Sequence, residues 1–330
     1  MELANIPLWI WGAFLGFVLC MLALDLGVFH RHTRTIKIKE ALVWSGVWIV
    51  LALLFNLVLF LFWDRIQPTS AYTPKEAGIA FLTGYLVEKA LSVDNVFVFI
   101  LVFTYFAVPP EYQHRVLFWG ILGAIVFRAI FIAIGAALIQ NFFWVMLIFG
   151  GFLIVTGVKM ALAKDKKIDP SQNPVVRFFR RLMPVTDDYH GKKFFVRLDG
   201  KLFATPLFLA LLMVEFTDIL FAVDSIPAIF AITADPFIVF TSNIFAILGL
   251  RALFFAIAGL VQLFHYLSYG LAAILVFVGL KMLYGYAEKV MVPEWPKFPV
   301  AVSLGIIAAI LTIAILASIR FGPRTRVKLH

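Results

Sequence analysis

Cysteine is nearly missing from this chain: among 330 residues there is one, Cys20, inside an apolar run. A single thiol makes no internal disulfide, no dithiol couple and no thiolate metal cluster. Charge is scarce too. Only 14% of the residues are Asp, Glu, Lys or Arg, where soluble domains carry about a quarter. The histidines His114, His190 and His265 stand apart from one another in or near loops and read as surface residues. There is no nucleophile elbow, Walker loop or dinucleotide fingerprint, so the chain is expected not to be an enzyme and not to hydrolyse ATP. The N-terminus lacks a basic region and a small-residue cleavage site, which makes its first apolar run a retained helix rather than a signal peptide.

What is present is hydrocarbon. The chain is 63% hydrophobic, with 36 phenylalanines and a mean hydropathy of +0.99. That composition reads as an all-α polytopic membrane protein. Runs of about 20 apolar residues give nine expected spans, at 7–29, 41–63, 77–107, 115–139, 142–161, 203–232, 236–260, 267–286 and 298–320. The segments are an N-terminal two-helix part (1–63), a first three-helix unit (77–163), a basic loop (164–201), a second three-helix unit (202–288) and a last helix with its tail (298–330).

The net charge of +9 does not point to nucleic acid, because the basic residues follow membrane topology. The first connection has Arg31, Arg34, Lys37 and Lys39. The loop from Lys159 to Lys201 has eleven basic residues, and the tail has Arg320, Arg324, Arg326 and Lys328. With Arg115, twenty basic residues share one side, against Arg65, Lys75, Lys289 and Lys297 on the other. The positive-inside rule then places the N-terminus outside and the C-terminus in the cytoplasm. Within the loop, RFFRRLM (177–183) is basic and aromatic and suits an anionic headgroup surface. Asp199-Gly200 between short apolar stretches reads as a hairpin turn.

Two acidic stretches interrupt the apolar runs: EKALSVDN, from Glu88 to Asn95, and DILFAVDS, from Asp218 to Ser225. An aspartate at the centre of a spanning helix costs roughly 2.5–3.5 kcal/mol on insertion scales. Bearing that cost at Glu88, Asp94, Glu215, Asp218 and Asp224 points to a cation. Each stretch is followed by an arginine and then a lysine motif: Arg128 and GVKM with Lys159, Arg251 and GLKM with Lys281. The landmarks recur in one order. Each unit has three spans, an odd number, so the second copy enters the membrane in the opposite sense. This is the pattern of an inverted repeat.

The candidate ligands are Glu88, Asp94, Asn95, Asp218, Asp224 and Ser225. Acids six apart on a straight helix face different ways. One reading therefore unwinds the helix near Pro227, freeing the Val223 carbonyl. The alternative has Asp94, Asn95, Asp224 and Ser225 meeting across the two inverted helices, with Glu88 and Asp218 further along the path. Oxygen ligands suit Mg, Ca and Mn alike. Arg128 and Arg251 are candidates for charge compensation or gating, and Glu215 for an entry step. Lys89 is expected to pair or snorkel, and Asp25 is expected at the interface.

FLTGYLVEKALSVDNVFVF, ALLMVEFTDILFAVDSIPAIFAIT, DPFIVFTSNIFAILGLRAL and GLKML resemble the TerC family of integral membrane proteins, and within it the Alx-like members. The resemblance covers nearly the whole chain. It implies export of manganese across a bacterial inner membrane, with the six candidate ligands carried over as the ion path. It also implies a larger group of cation exporters built from inverted three-helix repeats. The family has been associated with tellurite resistance and with a redox-modulating role. Under this reading Mn²⁺ is a transported substrate and no resident cofactor is expected. The partners are the bilayer, the cation and counter-moving protons, and a homo-oligomer is left open. The competing readings are a membrane scaffold or redox and metal-stress modulator acting through partner proteins, and an exporter of another divalent ion such as Ca²⁺.

Overall fold

The structure, a computed structural model, describes residues 6–29, 38–162, 174–198, 200–258, 266–292, 294–296 and 298–321. Its helices are α1 (Leu8–Phe29), α2 (Ile38–Ile66), α3 (Pro74–Tyr105), α4 (Pro110–Asn141), α5 (Val145–Leu162), α6 (Pro174–Leu182), α7 (Pro206–Phe230), α8 (Pro236–Leu248), α9 (Leu250–Ala258), α10 (Leu267–Tyr286) and α11 (Val300–Phe321). A two-stranded hairpin, β1 (Phe195–Leu198) and β2 (Lys201–Ala204), precedes α7. Asp199 and His265 lie outside the described residues, as do the basic residues of 30–37, 163–173 and 322–330.

Prolines begin α3, α4, α6, α7 and α8. A proline at the first helical position gives up an N–H that has no partner there anyway, and its fixed φ suits the helix. The first turn of α3 is closed by a capping box between Thr73 and Glu76, and that of α8 by Asp235, which accepts from the amides of Phe237 (2.9 Å) and Ile238 (3.1 Å).

Among the described residues, six helices are long and apolar enough to cross a membrane: α2, α4, α5, α7, α10 with its π-helical extension, and α11. The pair α8–α9 makes a seventh if taken as one span bent by 41°. The run expected as one span at 236–260 is thus two helices, parted at Gly249. The helix α3 carries Glu88, Lys89 and Asp94, and the apolar part of α1 is short. Leu54, Leu57, Leu61, Ile134, Leu316 and Ile319 point outward and exposed, as lipid-facing residues do.

Small residues set the closest contacts. A Cβ on Gly279 of α10 would sit 2.7 Å from the Gly150 carbonyl of α5, and one on Gly157 would sit 2.7 Å from the Ala272 carbonyl. Numbers rise along α5 as they fall along α10, so the two helices run antiparallel with backbones nearly touching. Elsewhere α4 packs along α7 and α3 along α8, and α3 also meets α7.

The connection between α5 and α7 is partly an ordered platform. Leu198 pairs with Lys201 across the two-residue turn expected at Asp199-Gly200, and Gly200 takes the positive φ (77°) that such a turn needs. The platform docks on the α3–α4 corner. The Tyr189 hydroxyl donates to the Phe106 carbonyl at 2.6 Å, and Arg115 stacks over the Phe194 ring at 5.1 Å. Burial pushes the Tyr189 hydroxyl up to about 12, so it stays a donor at physiological pH. Tyr189, Phe194 and Arg115 therefore share one end of the molecule.

The α5–α10 contact predicts a contrast. Gly279→Ala must push the Gly150 backbone aside and is expected to cost about 1–3 kcal/mol. Gly151→Ala, which meets nothing within 4 Å, is expected to be neutral. Thermal unfolding in detergent compares them; equal midpoints would mean that α5 and α10 are not packed this closely.

Candidate functional site

The site is built on one buried arginine. Arg128, on α4, is fully buried. Its Nε donates to Asp218 Oδ2 (3.2 Å) and its Nη2 to Asp218 Oδ1 (3.1 Å), a two-pronged pairing with α7. Its Nη1 donates to Glu88 Oε1 on α3, to Asn243 Oδ1 on α8 (2.8 Å) and to Ser225 Oγ on α7 (3.4 Å). The Asn243 amide turns back to Glu88 Oε2 at 3.4 Å. Glu88, Asn243 and Ser225 are 1% exposed or less, and Asp218 is 2% exposed. Four helices thus meet on one guanidinium.

Beside this knot lies a cavity of about 30 Å³, lined by Glu88, Asp94 and Asn95 from α3, Arg128 from α4, and Asp224 and Ser225 from α7. Residues 88, 91 and 95 recur at helical spacing on one face of α3, and 221, 224 and 225 do the same on α7. Asp94 and Asn95 of α3 and Asp224 and Ser225 of α7 thus line one cavity, with both helices intact. The unwinding itself is not found. Both α3 and α7 are continuous through their acids, and α7 runs past Pro227 to Phe230. Pro227 stands in the last turn of α7, where losing one intrahelical bond does not end the helix.

Among the described residues, no three of His, Cys, Asp and Glu come together as a ready metal site. Asp218 faces the guanidinium, Glu88 touches both the guanidinium and the cavity, and Asp94 and Asp224 open on the cavity. The carboxyl of Glu215 lies against Gly123 of α4, where any side chain would collide with it. Arg251 is buried on α9 and does not line the cavity. The side chain of Asp25 lies outside the described residues.

Lys89 neither snorkels nor turns to Glu88. Its Nζ donates to the Ala246 carbonyl at 3.3 Å, at the broken end of α8. The last four carbonyls of a helix lack intrahelical partners and carry its negative pole, so a lysine there is favourable. Gly249 makes the room: a Cβ on it would stand 2.7 Å from Lys89 Nζ.

Asn243 reads from the sequence as a helix–helix hydrogen bond, and it makes one here, joining α8 to Arg128 of α4 and Glu88 of α3. One residue of the site escaped the sequence reading. Met160, which brings a thioether to the cavity wall, stands in the repeated GVKM motif beside Lys159.

With this geometry in hand, comparison with known proteins is direct. Residues 73–326 match the model of the integral membrane protein TerC family. The chain belongs to the TerC family. It is 51% identical over 310 residues to "Uncharacterized membrane protein STKORF319" of Myxococcus xanthus, covering 94% of this chain and 92% of that one. It is 49% identical over 312 residues to "Putative membrane-bound redox modulator Alx" of Escherichia coli K12, covering 94% of each chain. The Salmonella typhi protein of the same name is 48% identical over 316 residues, covering 96% of this chain and 95% of that one. No solved structure matches the chain.

Removing one partner of a buried ion pair costs about 3–5 kcal/mol. Arg128→Ala is expected to lose that much, and adding Glu88→Gln and Asp218→Asn to recover part of it, as thermal midpoints in detergent. An Arg128→Ala midpoint equal to that of the native chain would show that the guanidinium does not hold the four helices.

Proposed function

We propose that this chain is a bacterial inner-membrane secondary transporter that exports Mn²⁺ in exchange for protons. The observation that carries the reading is a charge imbalance. Glu88, Asp94, Asp218 and Asp224 stand in or next to one small intramembrane cavity, and one guanidinium, Arg128, lines it, paired with Glu88 and Asp218. With the acids ionised, negative charge is in excess, and protons or a divalent cation restore the balance. Metal binding needs ionised ligands and therefore releases protons. Metal leaving and protons entering are then two sides of one exchange.

Nine spans complete the architecture, with α1, α3 and the bent pair α8–α9 crossing beside the six apolar helices. The helices α3, α4 and α5 form one unit of an inverted repeat, and α7, α8–α9 and α10 the other. The packing supports it. Exchanging the units turns the α4–α7 contact into the α8–α3 contact, and it maps the antiparallel α5–α10 pair onto itself. The ligands proposed for the metal are Asp94, Asn95, Asp224 and Ser225, joined by Glu88 and Asp218 when Arg128 yields them. Met160 adds a softer donor to an oxygen set, which favours manganese over calcium.

The name of the Alx relatives speaks of redox modulation. The chemistry available for it here is slight, since the lone Cys20 has no second thiol within the chain. Transport uses the residues that the fold buries at a cost.

Asp94→Asn and Asp224→Asn are each expected to abolish Mn²⁺ movement into proteoliposomes while leaving the chain folded. Normal transport by either would sink the shared cavity as the ion path. Topology labelling adds a check: a reporter cysteine at position 172, in a Cys20→Ala background, is expected to resist impermeant reagent in intact cells.

The exchange itself is tested with a pH-sensitive dye trapped in the vesicles. Protons are expected to move against Mn²⁺, and apparent Mn²⁺ affinity to rise with pH as protons compete less for the carboxylates. Affinity that is flat across mildly acid to mildly alkaline pH, without proton movement, would leave a uniporter.

A further inference from the structure

We propose that α6 is an interfacial helix that binds the anionic phospholipid surface of the same bilayer. Its sequence, PVVRFFRRL, contains three arginines and no acid. One side is already used. Val176 is 2% exposed, and the Phe179 ring packs on Phe208 at 6.2 Å. Phe208 lies in the first turn of α7, a span by its length and apolarity, and it is also packed by Phe195 of the hairpin at 4.4 Å. This fixes the height of α6. It lies beside the end of a spanning helix, where hydrocarbon gives way to headgroups.

The rest of the helix is divided. Phe178 and Leu182, at i and i+4, share a strip and are 60% and 68% exposed. Positions 177, 180 and 181, all arginine, share the neighbouring face at i, i+3 and i+4. An apolar strip beside a cationic face, on a helix held at headgroup height, is the arrangement by which helices lie in a membrane surface. Charge selects the occupant. Each arginine near an anionic leaflet adds attraction, and a guanidinium pairs two-pronged with a phosphate. A soluble acidic protein would meet the arginines but would have to cover Phe178 and Leu182 at the edge of the bilayer, which lipid covers without any partner. The inference stands apart from what the cavity transports.

The test uses the full chain, with Cys20→Ala and a spin label at Phe178→Cys or, independently, at Leu182→Cys. Each is reconstituted in phosphatidylcholine vesicles and in vesicles of equal parts phosphatidylcholine and phosphatidylglycerol. Collision with oxygen and with a water-soluble nickel chelate reads the depth of the label. Both labels are expected at the headgroup–acyl boundary in the anionic vesicles. They are expected to rise toward water when Arg177, Arg180 and Arg181 are replaced by Glu. Thermal midpoints of the labelled chains confirm that the transmembrane part is intact. Labels that stay in water in both lipids would overturn the proposal. So would labels equally immersed with and without phosphatidylglycerol, or with and without the arginines, since binding would then be apolar alone. Free inorganic phosphate is expected not to change the depth. If it lifts the labels from the anionic surface, the site takes loose phosphate and the lipid assignment falls.

Discussion

One guanidinium holds this membrane domain together. Arg128 is buried where water is scarce, so every donor it carries needs an acceptor nearby. Asp218 takes two of them, and Glu88, Asn243 and Ser225 share the Nη1 side. Those acceptors come from α3, α7 and α8, while the arginine comes from α4. The four helices are thereby fixed against one another at a single point. A lysine could not replace it, because a point charge with three donors cannot pair two-pronged with Asp218 while bridging to α3 and α8. Removing both acids would leave the arginine stranded, and removing the arginine would leave two acids facing each other.

The apolar packing around this point is of another kind. In a bilayer, helices gain little by hiding oil from oil, so they associate through close backbone approach and polar contacts. The antiparallel α5–α10 pair relies on the first, with Gly150, Gly157 and Gly279 letting main chains meet. The cluster of α3, α4, α7 and α8 relies on the second. A stiff glycine seam and a polar knot thus stand side by side, and the cavity opens next to the knot, bounded by Met160 from the seam.

Much of this was legible in the sequence, and the gaps have physical reasons. Helix limits could be read because long apolar runs and prolines such as Pro74, Pro206 and Pro236 are local signals. The hairpin could be read because a two-residue turn needs a glycine with positive φ, and Gly200 supplies it. The acidic stretches announced themselves by their cost. The helix break at Gly249 was hidden, because a glycine inside an apolar run looks the same whether the helix bends there or not. What decides is Lys89, which lies 157 residues away from its acceptor at Ala246. Met160 was missed for a similar reason: its place in the cavity wall depends on which helices face it. Pro227 misled in the opposite direction, because its effect depends on how near the helix end it falls.

Glu88 and Lys89 are adjacent on α3 and have different partners. Glu88 reaches the Arg128 knot beside the cavity, and Lys89 reaches the kink between α8 and α9. Consecutive residues on a helix diverge by about 100° but move as one rigid piece. This makes α3 an axle with two spokes. A small turn about its axis that draws Glu88 away from the guanidinium also swings the lysine ammonium across the end of α8. Both contacts end on α8, because Asn243 bonds Glu88 and Arg128 one turn before Ala246, so a turn of α3 would load the knot and the kinked end of α8 at once.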